Sequence, residues 1–216
     1  MSRTRLMRIL VCILVLFSLQ GLQTCKRMAP AATGALAQGG CPAAALRWLR
    51  DGNRRERKLS KYDFLIQKYA AQIGMDWRLL AAIIYHESKF NELATSPVGA
   101  KGLMQVMDIA AVHYGMPEAD LYDPETNIRL GTLVLDDLFR QFREEGVDPT
   151  DVVRFAIASY NVGGGALARR RAEADSLGFN RNEWASVAII FDREDHSTPA
   201  YIDAVEQTYA RYCSRY

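Results

Sequence analysis

Histidine is scarce in this chain, with three in all, and the four cysteines form no CxxC pair and no Cys/His spacing that would suggest a zinc site. An HExxH metal motif is excluded as well. His86-Glu87 begins one, but the position of the second histidine is occupied by Phe90. Charge of one sign is also missing. The formal net charge is +2, a poor basis for broad nucleic-acid binding. The clusters Arg54-Arg55-Glu56-Arg57-Lys58 and Arg169-Arg170-Arg171 read as solvated helix faces. There is no alternating strand pattern of useful length, no hairpin signal and no internal repeat, so an all-α fold is expected. No metal or cofactor is expected.

A long apolar run occurs only at the start, and it is short of a membrane span. Arg3, Arg5 and Arg8 precede Ile9 to Leu19, whereas a spanning helix needs about 18–20 apolar residues. The pattern is that of a cleaved export signal over residues 1–24, with an uncleaved anchor helix as the alternative. Leu22-Gln23-Thr24-Cys25 resembles a bacterial lipoprotein box, which would make Cys25 an acylated first residue; Thr24 is bulkier than the usual small residue there. Loss of the signal takes Lys+Arg from 27 to 24 against 25 acidic residues and leaves a net charge of −1. Residues 25–40, Gly/Ala-rich and aperiodic, read as a flexible tether to the membrane, and 41–216 as the folded domain. In an oxidising compartment Cys41 and Cys213, which flank that domain, could pair; two unpaired thiols is the alternative.

Helix punctuation is dense from there on. Asp123-Pro124, Asp148-Pro149 and Thr198-Pro199 each join an N-cap residue to a proline suited to the first helical position, predicting helices over 124–142, 149–160 and 199–215. Two more are expected over Leu59 to Ile73 and Asp76 to Phe90, separated by Gly74. In the second of these, Trp77, Leu80, Ala81 and Ile84 follow helical spacing. At about 100° per residue, Glu87 falls between Leu80 and Ile83, inside the apolar sector. A carboxyl group there is disfavoured in its charged form, which suits a general acid. The alternative is a glutamate near a helix end that reaches solvent or a structural arginine. After Glu87 comes a turn-rich loop with Ser96-Pro97 and two glycines. A second helix is expected to open around Gly102 and to present Met104, Gln105 and Met107. Hydroxyls, an amide and soft apolar groups around one acid is a mixture that sugars require.

Glu87-Ser88-Lys89-Phe90-Asn91, Ser96-Pro97-Val98-Gly99-Ala100-Lys101-Gly102-Leu103-Met104-Gln105 and Ser159-Tyr160-Asn161-Val162-Gly163 resemble, in order and spacing, the catalytic domain of soluble lytic transglycosylases, whose wider kinship is goose-type lysozyme. The stretch from Tyr69 to Ala82 is similar to the membrane-bound lytic transglycosylase F branch, and the resemblance covers about residues 60–210. It implies a lysozyme-like helical domain acting on peptidoglycan glycan strands. Glu87 would protonate the bond between N-acetylmuramic acid and N-acetylglucosamine, then deprotonate the muramyl C6 hydroxyl to give a 1,6-anhydro end. It further implies substrate contacts at Ser96, Gln105 and Tyr160, a cleft wall organised by Asn161, and a lining that includes Met107 and Met104, the latter equally readable as core. The outer membrane, through Cys25, is the expected location. A lysozyme-like hydrolase and a non-catalytic wall-binding scaffold are the alternatives.

The departures from the family pattern are local. Asp108 stands where proline is usual, Ala110-Ala111 replaces Thr-Ala, and Gly163-Gly164-Gly165 replaces Gly-Pro-Gly. Ser197-Thr198-Pro199-Ala200-Tyr201-Ile202 lacks the glutamate of Glu-Thr-Arg-x-Tyr-Val. His113 and His196 have no recognisable partners in the sequence.

Overall fold

Asp76 begins the helix on which the rest of the domain is arranged. Its carboxylate accepts the Arg78 backbone N–H at 2.9 Å, the N-cap expected from its residue type. The structure, a computed structural model, describes residues 58–194 and 197–216. The helices among the described residues are α1 (Asp63–Gln72), α2 (Trp77–Ser88), α3 (Asp108–His113), α4 (Pro124–Glu144), α5 (Val152–Val162), α6 (Gly164–Ser176), α7 (Trp184–Glu194) and α8 (Ser197–Arg215). None of them is long and apolar enough to cross a membrane. The segments 1–24 and 25–40, Cys25, Cys41, His196 and the cluster from Arg54 to Arg57 lie outside the described residues.

Helix α2 is the central element. Leu80, Ala81, Ala82, Ile83 and Ile84 are all buried, packed by α1 on one side and α8 on another, while α4 and α5 form a second pair that α8 also touches. Burying a side chain of this size stabilises by about 1.5–3 kcal/mol relative to exposure, which is why an apolar stripe flanking a single glutamate fixes that helix in the core.

Several boundaries differ from the sequence expectation, each for a local reason. Residues 59–62 are not helical, because the Asp63 carboxylate reaches back to the Leu59 and Ser60 N–H groups and holds a turn there. Asp148 does not cap α5. Its Oδ1 accepts from the Thr150 N–H and hydroxyl at 2.8 and 2.6 Å, forming an Asx turn, and the helix begins at Val152. Thr198 lies inside the first turn of α8 and spends its hydroxyl on Asn161 Oδ1 of α5 at 3.3 Å. Arg171 is not solvated. It is buried on α6, donating to Glu145, to Asn182 Oδ1 at 2.6 Å and to the Arg181 carbonyl at 3.0 Å, with Phe142 and Phe155 against its guanidinium.

No helix opens at Gly102. Residues 102–105 form a tight turn closed by reciprocal 2.9 Å backbone bonds between Lys101 and Val106, and Lys101 also bridges Thr95. Gly102 at φ +73° and Gln105 at φ +50° are left-handed, which a helix cannot accommodate. The buried Asn127 of α4 supplies the bonds that hold this turn. Its Oδ1 accepts from the Met104 N–H at 2.7 Å and its Nδ2 donates to the Lys101 and Leu121 carbonyls at 2.8 and 2.7 Å. Gly102 is required for space as well as angle, since a Cβ there would overlap the Leu121 carbonyl and lie 2.8 Å from Asn127 Cγ.

Candidate active site

Glu87 lies in the last turn of α2, half-buried, and the helix stops directly beyond it. Lys89 (φ 55°) and Phe90 (φ 62°) are consecutive non-glycine residues in the left-handed region. Such strain persists only where surrounding structure imposes it, and it clusters at functional sites. The surrounding bonds are visible. Buried Ser88 donates to the Leu103 carbonyl at 2.8 Å, pinning the end of α2 to the 102–105 turn. Tyr160, near the end of α5, donates to the next carbonyl, Met104, at 2.7 Å. Two adjacent carbonyls of one turn thus receive hydroxyls from two helices, one of them from the residue directly after Glu87.

Tyr201 of α8 donates its hydroxyl to Glu87 Oε1. Burial pushes the Glu87 carboxyl above the usual carboxylate range, and the Tyr201 hydrogen bond opposes that shift without cancelling it. Burial likewise raises both phenols, helped by the neighbouring Glu87 charge, Tyr160 well above the ordinary tyrosine value and Tyr201 similarly. They therefore stay protonated donors. Such an arrangement offers a proton from a sheltered carboxylic acid and, once that proton is gone, two phenols beside the resulting charge.

The residues singled out from the sequence are placed as follows. Ser96 Oγ accepts the Ala100 N–H at 3.0 Å and closes the turn over Pro97 to Gly99; as an acceptor it still has a hydroxyl proton to donate. Gln105 turns its amide nitrogen back onto the Gly102 and Ala94 carbonyls at 2.9 and 3.2 Å, which leaves its carbonyl oxygen as the group to offer a ligand. Met107, partly exposed at 39%, precedes α3. Met104 is core: it is fully buried, and a Cβ on Gly131 of α4 would come within 2.5 Å of its sulfur. Asn161 is exposed and bonded to Thr198. His113 has a partner in the Tyr114 ring, edge-on at 4.9 Å. Tyr201 and Asn127 are the site residues that sequence reasoning did not single out. Tyr201 had a signal, being retained, with Thr198, from the departed Glu-Thr-Arg-x-Tyr-Val pattern; Asn127 had none.

This combination, a helical domain with one sheltered acid at the end of its central helix and a turn packed against it, defines a lysozyme-like fold. The solved structures it is similar to agree. One is the 70 kDa soluble lytic transglycosylase of Escherichia coli, with a TM-score of 0.54 and 28% identity over 70% of this chain and 24% of that one. Another is an inactive glutamate-to-glutamine mutant of the lytic transglycosylase Slt of Pseudomonas aeruginosa, with a TM-score of 0.55 and 26% identity over 82% of this chain and 28% of that one.

The transglycosylase SLT domain model matches residues 64–182, and the chain belongs to that family. Among curated relatives, the membrane-bound lytic murein transglycosylase F of Desulfosudis oleivorans is 35% identical over 73% of this chain and 35% of its own length. That of Haemophilus influenzae is 37% identical over 62% of this chain and 27% of its own length. The chain thus spans about a third of the length of the curated relatives it matches.

Proposed function

We propose that this protein is a peptidoglycan lytic transglycosylase that cleaves the β-1,4 bond between N-acetylmuramic acid and N-acetylglucosamine, with Glu87 as both acid and base. The observation that carries this reading is the Glu87 carboxyl itself: half-buried, shifted toward its protonated form, and given a hydrogen bond by Tyr201. Among the described residues, burial and the Tyr201 hydroxyl are what act on it; no second carboxylate does. Ordinary retaining and inverting glycosidases need two carboxyl groups. A single one suffices when the substrate supplies the nucleophile.

The steps balance within the sugar and one side chain. Glu87 gives its proton to the glycosidic oxygen as the C1–O bond breaks, and the leaving N-acetylglucosamine departs with a new hydroxyl. The positive charge at C1 is met by the muramyl acetamido oxygen and by the carboxylate now present. Glu87 then takes the proton of the C6 hydroxyl, O6 bonds to C1, and a 1,6-anhydro ring closes with Glu87 protonated again. Tyr201 favours the carboxylate half of this cycle. Ser96, Gln105, Met107, Tyr160 and Asn161 are the proposed substrate contacts, through the hydroxyl, amide and thioether groups described above.

The domain organisation follows the same reading. Residues 1–24 would direct export, Cys25 would carry the lipid, and 25–40 would tether a domain closed by a Cys41–Cys213 disulfide. The lipid would hold the domain at the outer membrane, and periplasmic action at the wall is supported by the relatives' description as membrane-bound murein transglycosylases.

Purified peptidoglycan digested with the protein and analysed by mass spectrometry tests the activity. Muropeptides lighter by one water than their reducing-end counterparts are expected. Hydrated reducing ends would instead identify a lysozyme-like hydrolase, and peptidoglycan bound without any release would identify a scaffold.

A further inference from the structure

His86, the residue before the acid, has no part in the steps above, yet it is the side chain through which α2 meets α8 beside the site. Its Nε2 lies 2.9 Å from Thr208 Oγ1, and the Ala204 backbone of α8 acts on the ring in favour of its charged form. The imidazole stands edge-on to Tyr201, with centroids 6.1 Å apart and planes at 80°. Residues 201, 204 and 208 share one face of α8, so the histidine is fitted against the same stripe that delivers the Tyr201 hydroxyl to Glu87.

We propose that His86 is a positioning residue: its neutral imidazole, bonded to Thr208 and packed edge-on against Tyr201, holds α8 in the register that sets the Tyr201 hydroxyl on Glu87, and protonation of the ring releases that register. The kinetic consequence rests on the transglycosylase reading of Glu87; the structural one does not.

The groups around the ring give protonation a definite effect. The charges that act on it are Lys89 from its own helix and Arg211 from α8, both positive. The tyrosines facing it are Tyr85 and Tyr201, and among the described residues α1, the other helix packed on α2, adds no charge there. Arg211 already donates to Thr208 Oγ1 at 2.9 Å. That oxygen therefore accepts one bond from a cation, and its own proton can go to a neutral His86 nitrogen. An imidazolium would turn this acceptor into a second donor and add a third positive charge to the pair already present. Burial first, then Lys89, outweighs the Ala204 backbone, which favours the charged ring, and holds the His86 pKa below the ordinary histidine value, so the neutral ring is the form present at neutral pH.

A mechanism that begins with protonated Glu87 loses kcat/KM on the alkaline side only. An acid limb therefore reports a second group, which is assigned here to His86. Wild-type kcat/KM is expected to fall below a midpoint lying under about 6.5, the unperturbed histidine value. His86→Gln keeps an amide for Thr208 but cannot titrate. It should lose the acid limb, keep the alkaline limb, and retain neutral-pH kcat within about threefold. His86→Phe fills the space without the hydrogen bond, and neutral-pH kcat should fall about tenfold with KM unchanged.

The readout independent of turnover is an NMR titration of the substrate-free protein. The Tyr201 side-chain resonance is expected to carry a component with the His86 ring's midpoint in the wild type, and in His86→Gln to keep only the component that follows Glu87. Should His86→Phe fail to fold, Thr208→Val removes the partner instead and should displace the shared midpoint. A Tyr201 resonance indifferent to the His86 titration, or an acid limb that persists in His86→Gln, overturns the inference. Absence of glycan cleavage by every variant including wild type would count against the transglycosylase reading alone, since the NMR titration still decides the role of His86.

Discussion

Tyr201 and Glu87 are coupled, because each shifts the other's protonation. The phenol's hydrogen bond favours the carboxylate and so pulls the Glu87 pKa down against the larger upward push of burial. Removing it has a signed consequence. In Tyr201→Phe the Glu87 pKa rises further, so the alkaline limb of kcat/KM should move to higher pH, while kcat at neutral pH should fall roughly tenfold, as expected for one hydrogen bond to a charged group. A pH–rate series on the two proteins checks both signs at once. The burial of Glu87 was legible from the sequence, because its carboxylate falls in an apolar helical sector, whereas its proposed role came from the family resemblance. Its partner was not legible, because Tyr201 lies 114 residues away and long-range pairing leaves no periodic trace.

At the scale of elements, the 102–105 turn is what brings α2, α4 and α5 to one point. It receives Ser88 and Tyr160 from two of them and is bonded at the Met104 N–H and the flanking Lys101 carbonyl by Asn127 from the third, which also holds the Leu121 carbonyl. Replacing Asn127 by Ala would leave the Met104 N–H and two carbonyls without these partners, and the expected loss is about 2–4 kcal/mol. Urea unfolding measures it. Where the start signal was strong the helices were read correctly in kind: Asp123 caps α4 as expected, and α2 starts where its span was expected to, with Asp76 as its cap. Failures came where a capping residue found a nearer use, as Asp148 did with Thr150. Another came at the end of the helix expected over 149–160, which runs to Val162, where Gly163, at φ 83°, ends it and directly precedes α6. The turn was mistaken for a helix start because its stabilising bonds come from a side chain on another helix, which no local pattern can announce.

For the whole molecule, two carboxyls on the central helix make stability depend on pH in opposite senses. Burial alone would raise the Asp76 pKa, but the Arg78 and Tyr209 hydrogen bonds outweigh it and the net shift is downward. A carboxyl more acidic in the folded state contributes stability above the unfolded value, and that contribution is lost as pH falls through the folded one. Glu87 is shifted upward. The folded state holds that proton more tightly, so stability is lost as pH rises from the unfolded value through the folded one and stays lost above it. Glu87→Gln should therefore melt at a higher temperature than wild type at neutral pH, with the difference disappearing below the ordinary glutamate pKa. Calorimetry at several pH values tests this. A destabilised acid kept beside the apolar stripe, in the last turn of the central helix, serves a site more than a fold.

The most direct test of the central claim compares wild type with Glu87→Gln on purified peptidoglycan, each first shown to be folded by its melting transition, with the released muropeptides identified by mass. If Glu87 is the acid and base, the wild type releases anhydro-ended fragments and the equally folded variant releases none. Anhydro ends produced by Glu87→Gln at an undiminished rate would contradict the account and move the chemistry to another residue.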